Sequence, residues 1–224
     1  MADIVLINPR FEISTLGFEY GLPFCGAKCF LPVAALPLIA ALTPAEHRVR
    51  LIDENVEQID YERCARADIV GVTGNIAQRM RMITILGELK RRRAFTVVGG
   101  AFVTVQEEDF ADLADVIFIG EAEETWPRFL SDWQQHRHQA RYEQIEKTDM
   151  STVPVPRFDL LKMRRYLQAS VQFSLGCPFT CEFCDIIVVF GRRPRFKTSA
   201  SQRTGYGHAS PSLSNRHPGL QRPR

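Results

Sequence analysis

The sequence predicts an α/β protein doubly wound around a parallel sheet, followed by a short second unit. Three observations carry this. Between residues 1 and 134, short apolar runs alternate with helix-period segments, as a parallel sheet with crossover helices requires. Three of those runs close directly on glycine: Thr73-Gly74, Gly99-Gly100-Ala101 and Gly120-Glu121. Beyond a proline-bearing spacer stands the run CPFTCEFC, which places Cys177, Cys181 and Cys184 on one short loop.

The elements follow in chain order. Ile4–Asn8 (IVLIN) reads as a strand closed by Pro9, and Leu31–Leu42 (LPVAALPLIAAL) as a buried helix. Val49–Ile52 is the second strand, Tyr61–Arg66 a short helix, and Asp68–Thr73 the third strand. Arg79–Arg92 is an amphipathic helix with Met82, Ile85, Leu86 and Leu89 on one face. Phe95–Val98 and Val116–Ile119 are the fourth and fifth strands. Strands this apolar are covered on both faces, so the expected domain is flavodoxin-like and binds ligands at the carboxyl ends of its strands. The three glycine-bearing strand ends lie there, where glycine lets the backbone approach a flat ligand. No G-x-G-x-x-G follows the first strand, which argues against a dinucleotide site.

Residues 135–168 read as a linker. Gln134 to Gln144 is polar without a strong period, and VPVP at 153–156 is an extended spacer. Ser170–Leu175 then reads as a strand leading into the cysteine loop.

Composition excludes several classes. With 45% hydrophobic and 24% charged residues the chain can bury a core, and a net charge of +2 exerts no general pull on nucleic acid. The longest apolar stretch, Leu31 to Leu42, is well short of the ~20 residues that span a bilayer. Lys90-Arg91-Arg92-Arg93 falls where a helix C-terminus favours cations. Six cysteines in 224 residues are not a disulfide framework, and with no signal peptide a cytoplasmic protein is expected.

Three thiolates on one loop can bind three corners of a [4Fe–4S] cluster and leave one iron open, whereas ferredoxin-type clusters take four cysteines. Zinc is the competing reading, with a fourth ligand drawn from Cys25, Cys29, Cys64 or a histidine. The C-x3-C-x2-C spacing, with Phe183 before the last cysteine, resembles the signature loop of the radical S-adenosylmethionine (SAM) enzymes. That resemblance implies a cluster held by Cys177, Cys181 and Cys184, SAM on the open iron, and a (β/α) barrel that starts at residue 169.

Upstream, VGVTGNIAQ, TVVGGAFVT and FIGEAEETWPRFL look like the cobalamin-binding domain that precedes many such barrels. The resemblance implies that Thr73, with Gly74, contacts the nucleotide tail of cobalamin. Gly99, Gly100 and Ala101 would let the tail thread in, and Gly120, Glu121 and Glu124 match the closing G-E-x-E segment. One departure is clear. The loop from Pro9 to Cys29 has no histidine, so the cobalt-ligating D-x-H-x-x-G motif of methionine-synthase-type domains is absent. The lower face of cobalt is then empty or filled by something other than a loop histidine.

PRFDLL, SLGCPFTCEFCDII and FGRRPRFKT extend the resemblance, over about residues 1–198, to the cobalamin-dependent group that includes the hopanoid methylases. It implies methyl transfer to an unactivated carbon of a small-molecule or lipid substrate, although other members of the group catalyse ring contraction or cyclisation. An electron donor such as a flavodoxin or ferredoxin is implied as well. A cobalamin carrier or sensor module, and a zinc-binding interaction protein, are the alternatives. After Thr198 the chain has no Asp, Glu, Val, Ile or Phe, so residues 199–224 are expected to stay disordered. A barrel needs several more βα units, so a frameshifted or truncated, inactive chain is expected, with a basic interaction tail as the other reading.

Overall fold

The computed structural model describes residues 1–14 and 18–198. Six parallel strands form the main sheet: β1 (Asp3–Asn8), β2 (Arg48–Asp53), β3 (Ile69–Thr73), β4 (Thr96–Gly99), β5 (Val116–Ile119) and β6 (Arg141–Glu143). Their spatial order is β2-β1-β3-β4-β5-β6, so the order reverses between β1 and β3. At such a switch point the flanking crossover connections leave for opposite faces and open a crevice at the strand carboxyl ends.

Alternation along each strand divides the core in two. Ile4, Leu6, Ile69, Val97 and Phe118 face α1 (Ala35–Leu42) and α5 (Thr125–Gln134). Val5, Ile7, Val70, Val72, Val98 and Ile117 face α2 (Tyr61–Ala65), α3 (Arg79–Arg91) and α4 (Ala101–Val105). The doubly wound expectation therefore holds. On α3 the stripe Met82, Ile85, Leu86 and Leu89 is fully buried, and Arg92 at its end pairs with Glu88 and Glu62.

Three expectations need correction. The helix expected from Leu31 begins only at Ala35; Pro32 keeps Leu31 out of helical backbone. Pro37 is tolerated in the first turn of α1, where no intrahelical partner for its nitrogen is missing. The sheet has six strands, not five: the segment read as a linker supplies β6, in register Ile117↔Arg141 to Ile119↔Glu143 with β5. Tyr142, Met150, Val153, Phe158 and Tyr166 from the same stretch are buried. Residues 165–168 also pair with 28–30 through Lys28 N–H to Arg165 C=O and Leu167 N–H to Cys29 C=O.

The third correction concerns the barrel strand expected at Ser170–Leu175. Only Ser174–Leu175 (β7) is a strand, and it pairs antiparallel with β8 (Arg195–Phe196). Between them lie the cysteine loop and α6 (Ile186–Phe190). Gly176 and Gly191, both at positive φ, turn the chain back on itself, and Cys177 N–H donates to Gly191 C=O. A parallel barrel strand takes its partners from a following βα unit, and the described residues contain none. The expectation for 199–224 lies outside the described residues.

Candidate functional site

A cavity of about 360 Å3 opens at the carboxyl ends of β1, β3, β4 and β5, on the face covered by α1 and α5. Small residues on that face create it. Gly71 stands in β3 where its neighbours are Leu6 and Val97, and a Cβ there would lie 2.7 Å from Leu6 Cδ2. At Gly99 a Cβ would lie 3.1 Å from Phe118 Cβ. Gly100 has φ +118°, and a Cβ would come within 2.5 Å of Thr73 Oγ1. Thr73, Gly74, Gly99, Gly100, Ala101, Gly120 and Glu121 all line the cavity, so three separate strand ends converge as expected.

A buried polar chain secures the floor. Gln78 Nε2 donates to Asn8 Oδ1 (3.0 Å) and to Pro9 C=O, and Gln78 Oε1 accepts from Asn75 N–H, closing a capping box before α3. Asn8 Nδ2 donates to Asp53 Oδ1 at 3.0 Å, and Tyr166 Oη donates to Asp53 Oδ2 at 2.7 Å. Burial first, and then the Asp53 carboxylate, raise the Tyr166 phenol far above its ordinary value, so it stays a donor. Asn8 and Gln78 also line the cavity, and neither was foreseen.

Two expected contacts differ. Glu124 does not reach the cavity: its side chain is exposed, and its N–H donates to Gln144 Oε1 as α5 begins. Glu123, which the G-E-x-E spacing reaches, lines the cavity instead, and burial pushes its carboxyl up. Glu121 lines the cavity but spends its carboxylate elsewhere. Oε1 accepts from Arg195 Nη2 at 2.5 Å, while Oε2 accepts from Arg195 Nη1 at 2.8 Å and Thr148 N–H at 2.8 Å. Burial pushes Glu121 up, but the bonds from Arg195 and Thr148 outweigh it and hold the carboxyl below its usual range.

The segment 171–197 covers the cavity. Val171, Leu175, Val189, Phe190 and Lys197 line it, and burial lowers the Lys197 ammonium. Cys181 is exposed, Cys177 and Cys184 are half-buried, and Phe183 is 91% exposed and away from the cavity. Among the described residues no three Cys, His, Asp or Glu side chains gather as a metal site. As donors, three free thiols on one loop suit an iron–sulfur cluster.

Residues 25–130 match the B12 binding domain family. An uncharacterized methyltransferase of Synechocystis sp. is 37% identical over 197 residues, covering 88% of this chain and 37% of that protein. The hopanoid C-2 methylase of Rhodopseudomonas palustris is 31% identical over 200 residues, covering 87% and 38%. The bacteriochlorophyllide d C-8(2)-methyltransferase of Chlorobaculum tepidum is 28% identical over 158 residues, covering 67% and 35%. The match marks a B12 binding domain over residues 25–130, and the chain as a whole is similar to the group that contains the hopanoid methylases. It spans little more than a third of the length of these curated relatives.

The cavity fits a B12-binding domain, since Gly71, Gly99 and Gly100 present bare backbone to it, and a Cβ at any of them would press on Leu6, Phe118 or Thr73. None of its described lining residues is a histidine. His47, which precedes β2, lies at the amino ends of the strands, opposite the cavity, where Nδ1 accepts from Ala2 N–H at 3.2 Å. Sequence reasoning also missed Gly71, although a glycine inside an apolar strand is the ordinary signal of a close approach. No described helix is long and apolar enough to cross a membrane.

Proposed function

We propose that the chain binds cobalamin with its nucleotide tail in the cavity between Thr73-Gly74 and Gly99-Gly100. The complete protein then transfers a methyl group to an unactivated carbon. The observation that carries this reading is the bare backbone at Gly71, Gly99 and Gly100, facing a cavity inside a B12-binding domain. Bound cobalamin would supply a transferable methyl group, and a [4Fe–4S] cluster the electron that cleaves SAM. Thr73 offers a hydroxyl to the tail, and Phe118 and Trp126 form the apolar wall beside it. Leu175, Val189 and Phe190 close the opening and exclude water.

The assignment of Cys177, Cys181 and Cys184 to the cluster, with Phe183 beside them, rests on their spacing. The names of the relatives support a hopanoid-type lipid or a comparable small molecule as substrate; a flavodoxin or ferredoxin would supply the electron for the cluster. A carrier or sensor role for the chain by itself is the alternative reading. Metal analysis after anaerobic reconstitution separates the readings. Cobalt with iron supports the enzyme, and cobalt alone supports the carrier.

The test of the binding site is a titration of the full chain with hydroxocobalamin, followed by absorbance. Saturable 1:1 binding is expected, with no imidazole-nitrogen splitting in the Co(II) electron paramagnetic resonance spectrum. Thr73→Val, which keeps the shape and removes the hydroxyl, should weaken binding about tenfold, in line with one lost hydrogen bond. No binding by the wild type, or unchanged binding by Thr73→Val, would overturn the site.

A further inference from the structure

We propose that Arg195 is a positioning residue that fastens the cysteine-bearing segment 171–197 over the cobalamin cavity by way of Glu121. The G-E-x-E resemblance makes Glu121 a cofactor contact, yet its two oxygens are occupied by Arg195 and Thr148. The pair is bidentate, which fixes orientation as well as distance. It is also buried, with side-chain exposures of 14% for Arg195 and 3% for Glu121. Arg195 donates further to Thr148 C=O at 2.7 Å and to Phe190 C=O at 3.0 Å, so one guanidinium grips β5's end, the 144–148 turn and the end of α6.

The register carries this grip to the cysteines. Arg195 pairs with Leu175 in the β7–β8 ladder, two residues before Cys177. Lys147 Nζ adds a second tie, donating to Val189 C=O at 2.8 Å. Fastened in this way, the segment supplies part of the cavity wall, while β3, β4 and β5 supply the rest. A ligand in the cavity touches both parts. By linkage, the fastened segment tightens the ligand and the ligand stabilises the fastened segment by the same factor. This linked half rests on the cobalamin reading; the fastening itself does not. Single and double substitutions separate the roles, because removing one partner strands a buried charge while replacing both with apolar groups is close to neutral.

Hydrogen exchange read by mass spectrometry on the full chain tests this, with and without hydroxocobalamin. Without ligand, Arg195→Met should speed exchange in peptides of 171–197 about tenfold or more and leave β1–β5 unchanged. Arg195→Lys should fall between. Glu121→Met with Arg195→Met should exchange no faster than Arg195→Met alone. With hydroxocobalamin, the wild-type segment should slow, whereas Arg195→Met should bind about tenfold more weakly and show no slowing. Equal exchange of 171–197 in wild type and Arg195→Met overturns the proposal. So does unfolding of the sheet in both the single and the double variant, since the pair would then hold the fold rather than the segment. Loosening by Arg195→Met in a wild type that binds no hydroxocobalamin would leave the fastening standing and remove the cobalamin reading.

Discussion

The sheet and the cysteine-bearing segment lie against each other but are held on different terms. In the sheet, Ile4, Val5, Ile7, Ile69, Val70 and Val98 are fully buried, and each strand has parallel partners over most of its length. The segment 170–198 has one ladder of two residue pairs, and it exposes Phe173, Phe179, Phe183 and Val188. The sheet is stabilised by apolar burial that needs no outside help. The segment keeps its place through a few polar ties to the sheet, chiefly Arg195 with Glu121 and Lys147 with Val189. The reactive-looking loop thus borrows its geometry from the domain below it.

The largest effects should come from residues that belong to the sheet despite their linker-like sequence. Tyr142 is fully buried, stacks on Phe118 with ring centroids 5.5 Å apart, and donates to Asp132 at 2.9 Å. Tyr142→Ala should lower unfolding stability by about 3–5 kcal/mol in urea titrations. A loss below about 1 kcal/mol would mean that β6 is only a passing strand. Next comes Gly100→Ala. Its positive φ and the 2.5 Å approach to Thr73 Oγ1 leave no room for a methyl group. A loss of about 1–3 kcal/mol is expected, together with loss of hydroxocobalamin binding by titration. Unchanged binding would detach the glycine from the ligand site.

A smaller, pH-dependent effect belongs to His47. Burial lowers its pKa below 6.5, the Met1 amine adds to this, and Glu46 opposes it. The unfolded chain therefore takes up this proton before the folded one does. Its contribution is complete above about pH 6.5 and is lost as pH falls toward the lowered folded value. The urea midpoint should drop between pH 7 and pH 5.5, and His47→Gln should flatten that drop. An identical slope in the variant would assign the dependence to other groups.

The smallest effects belong to the cysteine segment. Phe183→Ala should change stability by less than about 0.5 kcal/mol, since the ring contacts little. Replacing Cys25, Cys29 and Cys64 together with Ala should leave the iron content after anaerobic reconstitution at that of the wild type, about four per chain. Those three lie in the sheet domain, and the Cys29 thiol is pushed up to about 11, first by burial and then by Asp53, which disfavours a thiolate there. Loss of iron in the triple variant would move the ligand set out of the loop.

Five of the six strands and the stripe on α3 were legible because apolar runs and the helical period are local patterns. β6 was not. Three residues are too short to show a period, and its flanks Arg141 and Glu143 are charged, as suits an edge strand. The converging glycines were legible as a set, yet Gly71 was overlooked because it sits inside a strand rather than after one. Glu121 lines the cavity, but its partner lies 74 residues away and no local pattern announces such a pair.

By itself, the sequence determined the doubly wound architecture, the strand-end glycines and the spacing of the three cysteines, because each is written in neighbouring residues. Only the tertiary structure decided which surfaces meet. It made the supposed linker part of the core, through Tyr142 and Tyr166. It turned Glu121 from a free carboxylate at the cavity into the anchor of Arg195. It returned Ser174–Leu175 to an antiparallel partner rather than a barrel. The physical reason is common to all three. Burial and pairing between residues distant in sequence are set by how whole elements pack, and a buried polar or charged group takes whatever partner that packing brings to it.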